Sequence, residues 1–122
     1  MNKKVVIVED DRLLTIVLRK MATSMGYEVL ATCPGGRHAI EIVQSHKPDL
    51  VIMDILLADD VSGIEAMKAI RNQSTVPVVY ITAQNDAKIR REASSIENSA
   101  YLLKPVKVSH LQEAIQTVQF AA

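Results

Sequence analysis

The chain carries no surplus of either charge: fourteen lysines and arginines balance fourteen aspartates and glutamates. A nucleic-acid binder needs a basic footprint to neutralise phosphates, so direct nucleic-acid binding by this chain is not expected. Cysteine is nearly missing. Cys33 stands alone, which excludes an internal disulfide and argues against a thiolate metal site. The three histidines, His38, His46 and His110, share no i,i+4 spacing, so zinc has no visible ligand set. No apolar run approaches the roughly 20 residues of a membrane span, and no signal-peptide pattern opens the sequence. Neither a G-x(4)-G-K-[ST] loop nor a G-x-G-x-x-G turn follows a strand-like run, which removes the Walker and dinucleotide readings. The expectation left by these absences is a soluble, cytoplasmic protein with one domain spanning residues 1–122.

What is present is a rhythm of short apolar runs. Residues 5–8, 50–53 and 78–81 are rich in Val and Ile and almost continuously apolar, with shorter candidates at 28–32 and 100–103. Continuous apolar runs of strand length are covered on both faces, the mark of a parallel sheet. Helical spacing fills the intervals. Leu14, Val17, Leu18, Met21 and Met25 mark a first helix ended by Gly26, and Ala39, Ile40 and Val43 a second after Pro34-Gly35-Gly36. Ile64, Met67 and Ile70 mark a third. A fourth, residues 86–95, has little apolar face beyond Ala87, Ile89 and Ala93. Leu111, Ala114, Ile115 and Val118 mark a fifth, capped by Ser109 or begun just before it. Strand then helix, five times over, with right-handed crossovers, is a doubly wound α/β domain. Such sheets bind ligands beyond the carboxyl ends of their strands.

Those ends are polar. The first run leads into Glu9-Asp10-Asp11, the third into Asp54, the fourth into Thr82 and the fifth into Lys104-Pro105. Each residue has an ordinary explanation alone: acids favour helix N-termini, threonine ends strands, and lysine is usually solvated. Together at one sheet edge they form a constellation. Carboxylates crowded within ~4 Å repel by a few kcal/mol per pair at an effective dielectric near 20, so they require a cation or protons. With few carboxylates and no glycine-spaced calcium loop, the set suits magnesium sharing its shell with a phosphate. Asp54 is then a candidate nucleophile forming an acyl phosphate, and Lys104 a candidate cation for the phosphoryl oxygens.

With "VVIVEDDRLL", "DLVIMDI", "VPVVYITA" and "AYLLKPV" in this order, the chain resembles the receiver domain of bacterial two-component response regulators, from Lys3 to about Gln119. The resemblance implies a flavodoxin-like (βα)5 fold with a five-stranded parallel sheet in the order 2-1-3-4-5. It implies that Asp54 accepts phosphate from a sensor histidine kinase or a histidine phosphotransfer protein. Glu9, Asp10, Asp54 and the main-chain carbonyl of Leu56 would hold Mg2+, Lys104 would contact the phosphoryl group, and Thr82 and Tyr101 would be the switch pair. The Lys104-Pro105 peptide is expected to be cis. Such a protein is a phosphoacceptor switch acting on an output domain or effector, not an enzyme beyond its own phosphotransfer and slow dephosphorylation.

Three features bear on that resemblance. The loop "LLADDVSG" is longer than the family's commonest form and has Ala58 where a proline is usual. Asp59 and Asp60 within it are expected to be solvated charges, and Asp11 ranks behind Glu9 and Asp10 as a metal ligand. "SIENSAYLLKP" lacks the glycine usual before the fifth strand, and "SHLQEAIQTVQF" lacks the arginines of the family's DNA-binding, dimerising branch. A pseudo-receiver would have lost Asp10, Asp54 or Lys104. A haloacid-dehalogenase-type phosphatase would carry an aspartate two residues past the nucleophile, where this chain has Leu56. Leu56 and Gln84 border the implied approach of water to the phosphoryl group, and neither activates it.

Overall fold

The computed structural model describes residues 2–121. Five strands, β1 (Lys4–Val8), β2 (Glu28–Cys33), β3 (Leu50–Met53), β4 (Val78–Thr82) and β5 (Ser99–Leu103), alternate with five helices, α1 (Arg12–Ser24), α2 (Gly36–His46), α3 (Gly63–Arg71), α4 (Ala87–Ser94) and α5 (Val108–Thr117). All strand pairings are parallel, and the order across the sheet is β2-β1-β3-β4-β5. The expected doubly wound fold is borne out, including its strand order.

The continuous apolar runs follow from this architecture. Successive side chains of a strand point to opposite faces, and here each face has its own helical cover. Val6, Val8, Val51, Met53, Val78 and Tyr80 pack with residues of α2, α3 and α4, among them Val43, Met67 and Ala93. Val5, Ile7, Leu50, Ile52, Val79 and Ile81 pack with Leu18 and Ala22 of α1 and Leu111 and Ile115 of α5. Strands β1, β3 and β4 are central, so they have no polar face.

Local chemistry sets the element ends. Asp11 caps α1 by accepting from the N–H groups of Leu13 and Leu14, and Asp86 caps α4 in the same way. Ser62 and Glu65 form a reciprocal capping box on α3. Helix α1 stops at Gly26, whose φ of 90° lies in the left-handed region. Helix α5 begins at Val108, one residue before Ser109, so Ser109 is inside the first turn and does not cap it. The missing glycine before β5 is answered by Asn98, which adopts a φ of 56°. Asparagine is among the few residues other than glycine that enter that region routinely. Its amide donates to the carbonyls of Thr75 and Gln119 and its oxygen accepts from the N–H of Gln119, tying the chain beyond α5 to the segments that lead into β4 and β5. Among the described residues, no helix is long and apolar enough to cross a membrane.

Candidate functional site

The carboxyl ends of β1, β3 and β4 each deliver one polar side chain into the interior. Glu9, Asp54 and Thr82 are the buried polar side chains among the described residues, at 3%, 4% and 1% exposure. Asp54 is held against the first strand by its N–H, which donates to the carbonyl of Val8 at 2.9 Å. Its two carboxylate oxygens have different donors: Oδ1 accepts from the N–H of Ile55 at 2.7 Å and Oδ2 from Lys104 Nζ at 2.6 Å. Lys104 reaches across because its own N–H is anchored on the carbonyl of Thr82 at 2.9 Å. The peptide between Lys104 and Pro105 is cis.

Glu9 shares the lysine. Its Oε1 lies 3.0 Å from Lys104 Nζ but accepts no well-aligned hydrogen bond among the described residues, while Oε2 accepts from the N–H of Asp11 at 3.1 Å. Burial pushes the Glu9 carboxyl up; the bond from Asp11 and the nearby Lys104 ammonium pull it back, and the Asp54 charge raises it again, leaving it at about 7. For Lys104, burial disfavours the ammonium, yet the bond to Asp54 and the Glu9 carboxylate beside it outweigh burial and hold the group above its usual range.

Asp10, exposed at the rim, completes a set of three carboxylates whose ligand atoms all lie within 4.8 Å of one another. Three carboxylates against one ammonium leave a formal charge of −2 when all are ionised, and one buried carboxylate oxygen lacks an aligned donor. An all-oxygen set with this charge fits a hard dication.

The remaining expected residues meet at Gln84. The Thr82 hydroxyl accepts from the Gln84 N–H at 3.2 Å, and the Tyr101 hydroxyl donates to the Gln84 carbonyl. Arg90 of α4 lies over the Tyr101 ring, 4.8 Å from its centroid. Gln84 is expected to border the approach of water, and its backbone also joins the expected switch pair. Leu56 sits two residues past Asp54 and is 57% exposed.

Asp59 is more than the solvated loop charge expected. It stays partly exposed and also accepts the N–H groups of Gly36, Arg37 and Val61. These bonds, that from Arg37 foremost, hold its carboxyl below the usual carboxylate range. Asp60 is exposed as expected, and pairs with Arg37 at 2.8 Å.

Residues 5–116 match the family model of the response regulator receiver domain. The chain belongs to that family. Receiver domains of this family are phosphorylatable switches of two-component signalling, not enzymes in the ordinary sense. The chain is 35% identical over 114 residues to the transcriptional regulatory protein PdtaR of Mycobacterium tuberculosis, covering 93% of this chain and 55% of PdtaR. It therefore spans about half the length of that relative. The chemotaxis protein CheY of Thermotoga maritima is 31% identical over 119 residues, covering 97% of this chain and 98% of CheY. Among solved structures, the receiver domain of the sensor histidine kinase PA1611 from Pseudomonas aeruginosa superposes with a TM-score of 0.83 at 28% identity, covering 97% and 98% of the two chains. That receiver holds a magnesium ion in its active-site cleft.

Proposed function

We propose that Asp54 is the phosphoacceptor of a two-component relay, charged by a sensor histidine kinase or a histidine phosphotransfer protein. The observation that carries this reading is the pairing of Asp54 with Lys104 at 2.6 Å inside a cluster of carboxylates at one sheet edge. In the transfer, an Asp54 oxygen attacks phosphorus, the new O–P bond forms as the N–P bond to the donor imidazole breaks, and the ring nitrogen keeps the bonding pair. Lys104 is positioned to move from the carboxylate to a phosphoryl oxygen, following the charge. The Ile55 N–H orients the acceptor, and the Thr82 hydroxyl, within the same strand-end cluster, is the group that turns toward the product.

Glu9, Asp10, Asp54 and the main-chain carbonyl of Leu56 would hold Mg2+, which supplies positive charge against the phosphoryl oxygens. The domain promotes its own phosphotransfer and slow dephosphorylation. Its phosphorylated form acts on an output domain or effector through the face built by α4, β5 and α5. A cytoplasmic location goes with these partners.

Incubation with acetyl phosphate and magnesium, followed by intact-mass measurement, tests the assignment. One phosphoryl label per chain is expected, lost in Asp54→Ala and on chelation of magnesium. Undiminished labelling of Asp54→Ala would sink it.

A further inference from the structure

We infer that Asp59 is a positioning residue: by seating the β3–α3 loop on the N-terminus of α2, it presets the main chain beside Asp54 for cation binding and phosphotransfer. The inference rests on the phosphoacceptor reading above.

A helix leaves its first N–H groups without intrahelical partners, and an N-cap side chain usually accepts one of them. The N-cap of α2 is Gly35, which has no side chain to do so. Asp59 supplies the missing acceptor from more than twenty residues away in sequence. Its Oδ1 accepts from Gly36 N–H at 2.9 Å and from Val61 N–H at 3.1 Å, and its Oδ2 accepts from Arg37 N–H at 2.9 Å. The Ala58 N–H donates to the carbonyl of Pro34 at 3.0 Å beside them. Bonds to an ionised acceptor are the stronger kind.

Both glycines at the start of α2 are spent on this contact. A Cβ on Gly35 would fall 2.6 Å from Asp59 Oδ2, and one on Gly36 only 2.3 Å from the carbonyl oxygen of Val61. The base of the same loop is tied as well. Gly63 N–H donates to the carbonyl of Ile55 at 2.8 Å, and a Cβ on Gly63 would lie 2.1 Å from the carbonyl oxygen of Asp54. Leu56 lies between the tie at the base and the tie at Asp59. A loop held at both places presents its main chain with less ordering left to be done on binding. The neighbouring Arg37–Asp60 pair is different in kind: its side chains are 67% and 72% exposed, and such pairs contribute little.

Magnesium titration by calorimetry and labelling by acetyl phosphate, on wild type, Asp59→Ala and Asp60→Asn, separate the possibilities. Asp59→Ala is expected to lose about tenfold in magnesium affinity, the usual scale for groups that orient a ligand, and to label correspondingly more slowly. Asp60→Asn removes the same charge one position along and is expected to stay within about twofold of wild type. In wild type the amide resonances of Gly36 and Arg37 should move when magnesium is added, and in Asp59→Ala they should not. Should Asp59→Ala fail to fold, Asp59→Asn, which keeps one acceptor oxygen, is held to the same comparison with an intermediate loss expected. Folded Asp59 variants that bind magnesium like wild type, or losses equal to those of Asp60→Asn, would overturn the inference. Wild type that neither binds magnesium nor takes label would instead remove the phosphoacceptor reading on which it stands.

Discussion

Asp54 and Leu56 are two residues apart and face opposite demands. Asp54 directly follows a fully buried strand and is 4% exposed, while Leu56 is 57% exposed in the loop just beyond it. An acyl phosphate on Asp54 is lost when water attacks in line, and a leucine side chain offers water neither a donor nor an acceptor. Leu56→Asn adds both, so the phosphorylated variant is expected to lose phosphate about tenfold faster, equivalent to ~1.4 kcal/mol of barrier. Phosphate release timed after rapid removal of the donor measures it; equal or slower loss would show that this side chain does not guard the site. The same scale explains why Asp59 and Asp60, adjacent and chemically identical, differ. Asp59 accepts three backbone N–H groups, whereas Asp60 pairs with a solvent-exposed arginine.

Among the helices, α4 is the least committed to the core. It has eight residues and buries only Ala93 of its own sequence, against five buried residues in α3. Elements with few buried apolar contacts sit at the low end of local stability. Its neighbour β5 is tied to the loop after β4 through Gln84, whose N–H is held by Thr82 and whose carbonyl is held by Tyr101. If the Thr82 hydroxyl turns to a phosphoryl group, the Gln84 N–H loses its acceptor and the Tyr101 tether is disturbed with it. Addition of beryllofluoride and magnesium is therefore expected to move the amide resonances of Gln84 and of residues 88–101 well beyond those of α2. Fixed resonances there would rule out this route of switching. Helix α4 was legible in the sequence only through a thin apolar face, Ala87, Ile89 and Ala93. The turn before β5 was not legible, since only the fold shows that Asn98 takes the left-handed conformation a glycine would otherwise supply.

Across the whole molecule, the buried Glu9 carboxyl couples stability to pH, and the acidic cluster couples it to magnesium. The Glu9 carboxyl lies near 4.5 ordinarily and at about 7 in the metal-free fold. Between those values the folded state keeps a proton that the unfolded state has released, so stability is highest below the lower value and falls as pH rises toward the upper one. Urea midpoints measured with a chelator present are expected to decline across that window in wild type and to lose this component in Glu9→Gln. Magnesium at about 100 times its Kd should add ~2.7 kcal/mol at neutral pH, provided the unfolded chain does not bind it. Absence of any magnesium effect on the midpoint would contradict the metal site.

By itself the sequence determined the layered α/β fold. Val and Ile runs without a polar face can only be buried on both sides, and the strand–helix alternation then brings Glu9, Asp10, Asp54, Thr82 and Lys104 to one edge of the sheet. That information is local, carried by continuous apolar runs in the strands and a spacing of about 3.6 in the helices. Only the tertiary structure decided that Asp59 caps α2, that Gly35 and Gly36 clear room for it, and that the Gln84 backbone joins Thr82 to Tyr101. Those partners come from segments remote in sequence, brought together by how two loops pack at the end of a sheet, and no periodicity along the chain encodes a contact of that kind.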